Sequence, residues 1–285
     1  MPTNRELFFE LLKKKKKYLT RLVIKSLLND ANNFVDEVSL YQHFDEEVPN
    51  YEELVKKIER VENGEPFQYV LGYANFIDKY FEVNPSVLIP RQETEQLVID
   101  LKSVIEKRYG KEPISIADIG TGSGVIAISL KRYFPDAQVT ATDIDQDAID
   151  IAAGNAGRLD TDVMFIRGNM LEPLVKYNIR VDVLVSNPPY IDGPATIDEQ
   201  VWKYEPHKAL LASPDTFFYE EIIKNADQVL NPSALLAFEI GEEMEESLTE
   251  IINKYMPGSK FYFAKDLYNK TRFLYIINEG ENTNA

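Results

Sequence analysis

Hydrophobic positions change their period along this chain. Up to about residue 75 they recur at helical spacing. Tyr18-Leu19, Leu22-Val23 and Leu27 form one run, and Leu54, Val55, Ile58 and Val61 form another after the turn at Pro49-Asn50. Ser39-Leu40-Tyr41 suits a short helix between them, and together these runs predict a small helical bundle. From about 67 to 90 the pattern shortens. Residues 76–83 partly alternate and carry β-formers, which predicts a hairpin linker. Ile89-Pro90-Arg91-Gln92 then leads into a predicted helix over 93–109. From 114 onward short apolar runs alternate with helical stretches, the sign of a parallel, doubly wound α/β sheet. Strands are predicted at 114–119, 138–142, 163–166, 181–186, 234–240, 260–264 and 272–277. Residues 279–285 are polar and are expected to fray.

Two of the predicted strand ends carry chemistry. The apolar strand 181–185 runs into Ser186-Asn187-Pro188-Pro189-Tyr190. Each proline fixes its own φ and lacks an N–H, so this turn is stiff and offers carbonyls without competing donors. Proline also holds the residue before it extended, which restrains Asn187 and Pro188. The Asn187 side-chain oxygen and the Pro188 carbonyl can each accept one N–H of a planar NH2 group, and Tyr190 can stack on its face. The second motif, Gly120-Thr121-Gly122-Ser123-Gly124, follows the strand 114–119 and opens the helical run 125–133. Glycines permit a tight turn and a close ligand, and the helix start offers free N–H groups. The next predicted strand, 138–142, ends at Asp143, 19 residues after Gly124, where a carboxylate meets ribose hydroxyls. The spacing is G-x-G-x-G, not the dinucleotide G-x-G-x-x-G, and no Gly-Lys-Ser/Thr follows as in a P-loop. The combined pattern points to S-adenosylmethionine as cofactor and a planar nitrogen as methyl acceptor.

Composition narrows the acceptor. The chain has 285 residues, 44% of them hydrophobic, enough for one large or two modest domains. Its formal net charge of −16 disfavours naked nucleic acid and suits a protein acceptor, particularly a basic one. The run of lysines at 13–17 reads as the solvated face and end of an amphipathic helix. There is no cysteine, hence no disulfide framework, thiol nucleophile or thiolate metal site. No metal is expected. No stretch reads as a membrane span or a signal-peptide core, so a cytoplasmic enzyme is expected.

From about residue 19 to 277 the chain resembles the HemK/PrmC family, the peptide chain release factor N5-glutamine methyltransferases. Besides the two motifs above, the resemblance rests on Gly64-Glu65-Pro66-Phe67-Gln68-Tyr69-Val70-Leu71-Gly72 and Val87-Leu88-Ile89-Pro90-Arg91-Gln92-Glu93-Thr94-Glu95. Tyr204-Glu205-Pro206, Phe238-Glu239-Ile240-Gly241 and Asp266-Leu267 with Arg272 add to it. It implies a class I S-adenosylmethionine-dependent methyltransferase fold, a seven-stranded doubly wound sheet whose last pair closes antiparallel, with a small N-terminal helical bundle. The implied domains are a substrate-docking bundle at 1–75, a hairpin linker at 76–90 and a methyltransferase domain at 91–285.

The resemblance also implies site roles. Gly120, Thr121, Gly122, Ser123 and Gly124 would contact the methionine part of the cofactor, Asp143 the ribose, and Asn169 and Met170 the adenine. Asn187 would lie against both cofactor and substrate. Asn187, Pro188 and Tyr190 are the expected catalytic residues, and Pro189, Arg91 and Glu93 join them in binding substrate. The family usually has Asp where Asn169 stands, Pro where Gln92 stands, and two glycines near Ala212-Ser213. The expected partner is a release factor carrying a Gly-Gly-Gln glutamine, with no membrane or direct nucleic-acid contact, and the chain is expected to be a monomer. Two other acceptors stay open, a ribosomal-protein glutamine and an exocyclic adenine-N6 or guanine-N2 amine. A non-catalytic cofactor-binding partner of translation factors leaves the intact motifs unexplained. His43 and His207, the only histidines, fall in no recognisable triad.

Overall fold

A computed structural model of the chain describes residues 1–34 and 37–278; the tail expected to fray, 279–285, lies outside the described residues. The chain divides into two compact units. One comprises Met1–Tyr73 with Glu199–Tyr204; the other comprises Ala74–Asp198 and the chain from Glu205 onward.

In the first unit, α1 (Asn4–Lys14) starts at a capping box. The Glu6 N–H donates to Thr3 Oγ1 at 3.2 Å, and the Thr3 N–H donates to Glu6 Oε2 at 2.9 Å. Lys15, left-handed at φ 48°, ends the helix, so the lysine run straddles its exposed end. α2 (Arg21–Asn32) begins after its Thr20 cap, which leaves Tyr18 and Leu19 ahead of the helix rather than on it. Its buried face is Val23, Ile24, Leu27 and Leu28, while Leu22 is 58% exposed. Leu19, Val23 and Leu27 of the predicted run are thus buried in the core, and Leu22 alone of that run turns outward. α3 (Glu37–Gln42) and α4 (Tyr51–Glu62) form where expected, and their Leu40, Leu54 and Ile58 join the same core. Phe67–Leu71 forms a short α5, set off by Pro66 and stopped by Gly72 at φ 83°. The remote segment α10 (Glu199–Tyr204) completes this unit. There, Gln200 Nε2 donates to the Gly64 carbonyl at 2.9 Å and the Tyr204 hydroxyl to that of Asn63 at 3.3 Å.

The hairpin is β1 (Tyr73–Phe76) and β2 (Lys79–Glu82), so its first strand starts at Tyr73 rather than Phe76. Ile77 and Asp78 both have positive φ, 46° and 59°, as a two-residue turn matched to strand twist requires. Next come α6 (Gln92–Tyr109), β3 (Ser115–Ile119), α7 (Val125–Tyr133), β4 (Gln138–Asp143), α8 (Gln146–Arg158) and β5 (Met164–Arg167). α9 (Glu172–Lys176), β6 (Val181–Ser186), α11 (Phe217–Asn225), β7 (Leu230–Glu239), α12 (Glu245–Tyr255), β8 (Lys260–Lys265) and β9 (Thr271–Ile277) follow.

Among the described residues, seven strands form one sheet in the order β5-β4-β3-β6-β7-β9-β8. All neighbours pair parallel except β9, which runs antiparallel to both β7 and β8. Both faces are buried, which explains the continuous apolar runs. Ile116, Val183 and Leu235 pack with Leu97, Leu101 and Ile126 on one side. Ala117, Leu184 and Leu236 pack with Tyr219, Ile222 and Leu248 on the other. β7 is longer than its apolar run because Asn231-Pro232-Ser233 is a bulged strand segment and not a turn. Pairing shifts register between Val181 and Val183, and Ser233 sits at φ 64°. No helix among the described residues is long and apolar enough to cross a membrane.

The strand order reverses between β3 and β6, whose last residues, Ile119 and Ser186, are paired. The Ser186 hydroxyl donates to the Ile119 carbonyl at 2.6 Å. In open α/β sheets the crevice at such a reversal is where ligands bind. The glycine turn and the Asn-Pro-Pro-Tyr turn leave the sheet there side by side.

Candidate active site

A cavity of about 290 Å³ opens at this reversal, near the low end of small-molecule pockets. Gly120, Thr121, Gly122 and Ser123 line it from one turn, and Asn187, Pro188 and Pro189 from the other. Asp143, Asn169, Met170 and Arg91 also line it, so most of the expected site residues meet in one place. All lining residues belong to the second unit.

The glycine turn is held by backbone bonds to the neighbouring strand. The N–H groups of Gly120 and Thr121 both donate to the Thr142 carbonyl at 2.9 Å. Gly120 and Gly122 have φ of 76° and 55°, and a Cβ built at either meets nothing within 4 Å. Their bare backbone therefore faces space a ligand can fill. Gly124 differs. It does not line the cavity, and a Cβ there would lie 2.9 Å from Ile128 Cδ1 and 3.1 Å from Ala152 Cβ. This glycine lets α7 approach α8; of the five residues of the turn it is the one that packs against helices and does not face the cavity.

Behind the turn lies Asp118, fully buried in β3. Its Oδ2 accepts from the Thr121 hydroxyl at 2.6 Å and from the Ala127 N–H at 3.1 Å, while Oδ1 has no partner. Burial pushes its pKa up to about 7, against the pull of the two hydrogen bonds. Asp143, at the end of β4, accepts from the Gly122 N–H through Oδ2 and from the Asp145 N–H through Oδ1, both at 2.9 Å. Burial raises its pKa, and the Gly122 N–H and the Lys208 charge oppose that. Lys208, also in the lining, pairs with Asp145. Asn169 Nδ2 donates to Glu172 Oε1 at 3.3 Å, which leaves its Oδ1 to accept. Met170 takes a left-handed backbone, φ 43°, and its carbonyl accepts from the Thr142 hydroxyl at 3.2 Å.

The Asn-Pro-Pro-Tyr turn is supported from α6 and β7. Asn187 Nδ2 donates to Thr94 Oγ1 at 3.1 Å, and the Thr94 hydroxyl donates to Glu239 Oε2 at 2.7 Å. With the amide nitrogen held, Oδ1 is the Asn187 atom left to accept from a ligand. Tyr190 is not in the lining. Its hydroxyl lies 3.5 Å from Glu239 Oε1, and its ring packs close to Gly241. Burial and the Glu239 charge raise its pKa. Tyr190 thus braces the turn against Glu239 and Gly241 and lies outside the cavity lining, away from the stacking position expected for it.

Arg91 does reach the cavity, but Nη2 donates to Glu205 Oε1 at 2.5 Å. The buried Glu205 also accepts from the Ile89 N–H at 3.1 Å. Glu93 does not line the cavity; it lies in the first turn of α6, and its charge helps raise the pKa of Glu239. His43 lies in the first unit and His207 is exposed and outside the lining. Glu205, Glu239 and Lys208 carried no site role in the sequence. Of these Glu239 had a readable signal, a charge closing the apolar run 234–238.

A glycine turn and an Asn-Pro-Pro-Tyr turn at the reversal of this sheet define a methyltransferase of the class I fold. A family model described as the methyltransferase small domain matches residues 100–205. A methyltransferase from Pyrococcus furiosus shares the fold, with a TM-score of 0.50, 21% identity, and coverage of 70% of this chain and 88% of that one. The release factor glutamine methyltransferase of Staphylococcus aureus is 38% identical over 220 residues, 76% of this chain and 77% of that protein. That of Bacillus cereus is 35% identical over 246 residues, 85% and 87% of the two chains. The chain belongs to the release factor glutamine methyltransferase family.

Proposed function

We propose that the chain transfers a methyl group from S-adenosylmethionine to the side-chain amide nitrogen (N5) of the glutamine in the Gly-Gly-Gln motif of peptide chain release factors. The observation that carries this is Asn187, whose Nδ2 is tied to Thr94, which leaves Oδ1 as its free acceptor in a cavity that Pro188 also lines. Family membership supplies the acceptor class.

The cavity suits the cofactor. The bare backbone of Gly120 and Gly122 leaves room for its methionine part, with Thr121 and Ser123 beside them. Asp143 would take the ribose hydroxyls, with Asn169, Met170 and Ile144 around the adenine. When bound, the cofactor supplies an electrophilic methyl on a sulfonium. The protein's task is then orientation. An amide nitrogen is a weak nucleophile because its lone pair is delocalised into the carbonyl. With one N–H donated to Asn187 Oδ1 and the other to the Pro188 carbonyl, its direction is set, and positive charge developing on nitrogen meets two prearranged acceptors. The first unit, which contributes nothing to the lining, is assigned to docking the factor.

The test is mass spectrometry of a release factor incubated with the protein and S-adenosylmethionine, beside ribosomal proteins and nucleic acid. One methyl is expected on the Gly-Gly-Gln glutamine, with Asn187→Ala slowing transfer by about 10²–10³-fold. A methyl on another component, and none on that glutamine, overturns the acceptor.

A further inference from the structure

We propose that Thr94 and Glu239 form a polarised relay that fixes which end of the Asn187 amide faces the cavity. The inference rests on the function proposed above and assigns two positioning residues to it. An asparagine amide can be turned end for end with little change in shape, but only its oxygen can accept the N–H of a substrate amide. If the NH2 faced the substrate, two donors would meet and the lone pair of the acceptor nitrogen would lose its direction.

The contacts on the far side decide the orientation. Ionised Glu239 has no proton to give, so the Thr94 hydroxyl must donate to it, as it does at 2.7 Å. Its hydrogen committed, Thr94 Oγ1 can only accept, and the group it accepts is Asn187 Nδ2 at 3.1 Å. The direction of donation runs one way, from Asn187 through Thr94 to Glu239. Thr94 and Glu239 are 4% and 2% exposed, so water does not substitute for either partner. The Tyr219 hydroxyl donates to the Glu239 carbonyl at 2.8 Å and fixes the backbone from which the carboxylate projects.

Protonation of Glu239 breaks this logic. A neutral carboxyl can donate to Thr94, which frees the Thr94 hydrogen to bond Asn187 Oδ1 and admits the reversed amide. Besides the Thr94 hydrogen bond, which opposes it most, four groups bear on that proton. Glu93 on α6 favours it; Arg272 on β9 opposes it, as does the hydrogen bond from Tyr190; Tyr219 lies near on α11. Burial outweighs them and pushes the Glu239 pKa up to about 7, within a range where activity can be measured.

The experiment is single-turnover methyl transfer to the release factor at saturating S-adenosylmethionine from pH 6 to 9, with cofactor affinity measured by calorimetry for each variant. The wild-type rate is expected to rise with pH through the Glu239 transition. Thr94→Val is expected to lose about 10–100-fold in rate with cofactor affinity unchanged, and Thr94→Ser to recover most of it. Glu239→Gln, whose amide can either donate or accept, is expected to be about 10-fold slower with a flat profile. Wild-type rate and pH profile in Glu239→Gln, or wild-type rate in Thr94→Val, overturns the relay. A wild-type protein that methylates no release factor overturns the proposed function instead. The relay is then judged by the Asn187 side-chain NH2 resonances. Their shift across pH 6 to 9 should vanish in Glu239→Gln, and resonances that ignore the substitution refute the relay.

Discussion

Asp118 and Glu239 are carboxyls kept out of water, each with a pKa pushed up to about 7 by burial. The folded chain therefore binds these protons more tightly than the unfolded chain does. Their contribution to stability is full below pH about 4 and is lost as pH rises through about 7. Urea unfolding at pH 5.5 and pH 8 should show a drop on the order of 2 kcal/mol for each of the two groups across that window, and Asp118→Asn should remove one share of it. Equal stability of the wild type at both values contradicts the assignment. Residue type and spacing made Gly120, Gly122, Asp143, Asn187 and Pro188 legible in the sequence. They did not separate Gly124, which has the same identity and a positive φ but a different task. Gly124→Ala should cost about 1–3 kcal/mol of stability through overpacking against Ile128 and Ala152. Gly122→Ala should weaken cofactor binding by calorimetry more than Gly124→Ala does, because its new methyl enters the cavity. What stayed hidden was the contact that joins Asn187, Thr94 and Glu239. Their bonds span 93 and 145 residues, and nothing in a local window encodes such a partner.

At the scale of elements the sheet was legible because both of its faces are covered. Runs such as Val183-Leu184-Val185 stay apolar through every residue, and each run sits between helical stretches. Reading failed where backbone signals conflict with strand or helix. The bulge at Asn231-Pro232-Ser233 looks like a turn, and α5 is too short for a periodicity to emerge. Tertiary latches were equally unreadable. Glu205 ties the approach to α6 through both the Ile89 N–H and Arg91, though it lies more than a hundred residues downstream. Glu205→Ala should destabilise by about 1–3 kcal/mol in denaturant melts, since it leaves a buried N–H unpaired. Glu205→Gln keeps an acceptor for Ile89 and should lose less. Equal losses in the two variants argue against the latch.

For the whole molecule, the net charge of −16 and the placement of the cavity entirely within the second unit set the terms of association. Such a surface should leave duplex nucleic acid unbound at about 0.15 M salt in a mobility-shift assay, a condition under which exposed charges act over only ~8 Å. Tight, salt-sensitive binding contradicts that expectation. Division into units was only partly legible, because α10 joins the first unit from a stretch more than a hundred residues away. The turn that carries Asn187 has a chemical consequence of its own. Asparagine side chains in ageing proteins are lost mainly when the backbone nitrogen of the next residue attacks the amide carbon and closes a succinimide. The residue after Asn187 is Pro188, whose backbone nitrogen carries no hydrogen and cannot close that ring. The proline that stiffens the site thereby also protects its amide from spontaneous hydrolysis to a carboxylate, which would repel the acceptor carbonyl and accept without discrimination.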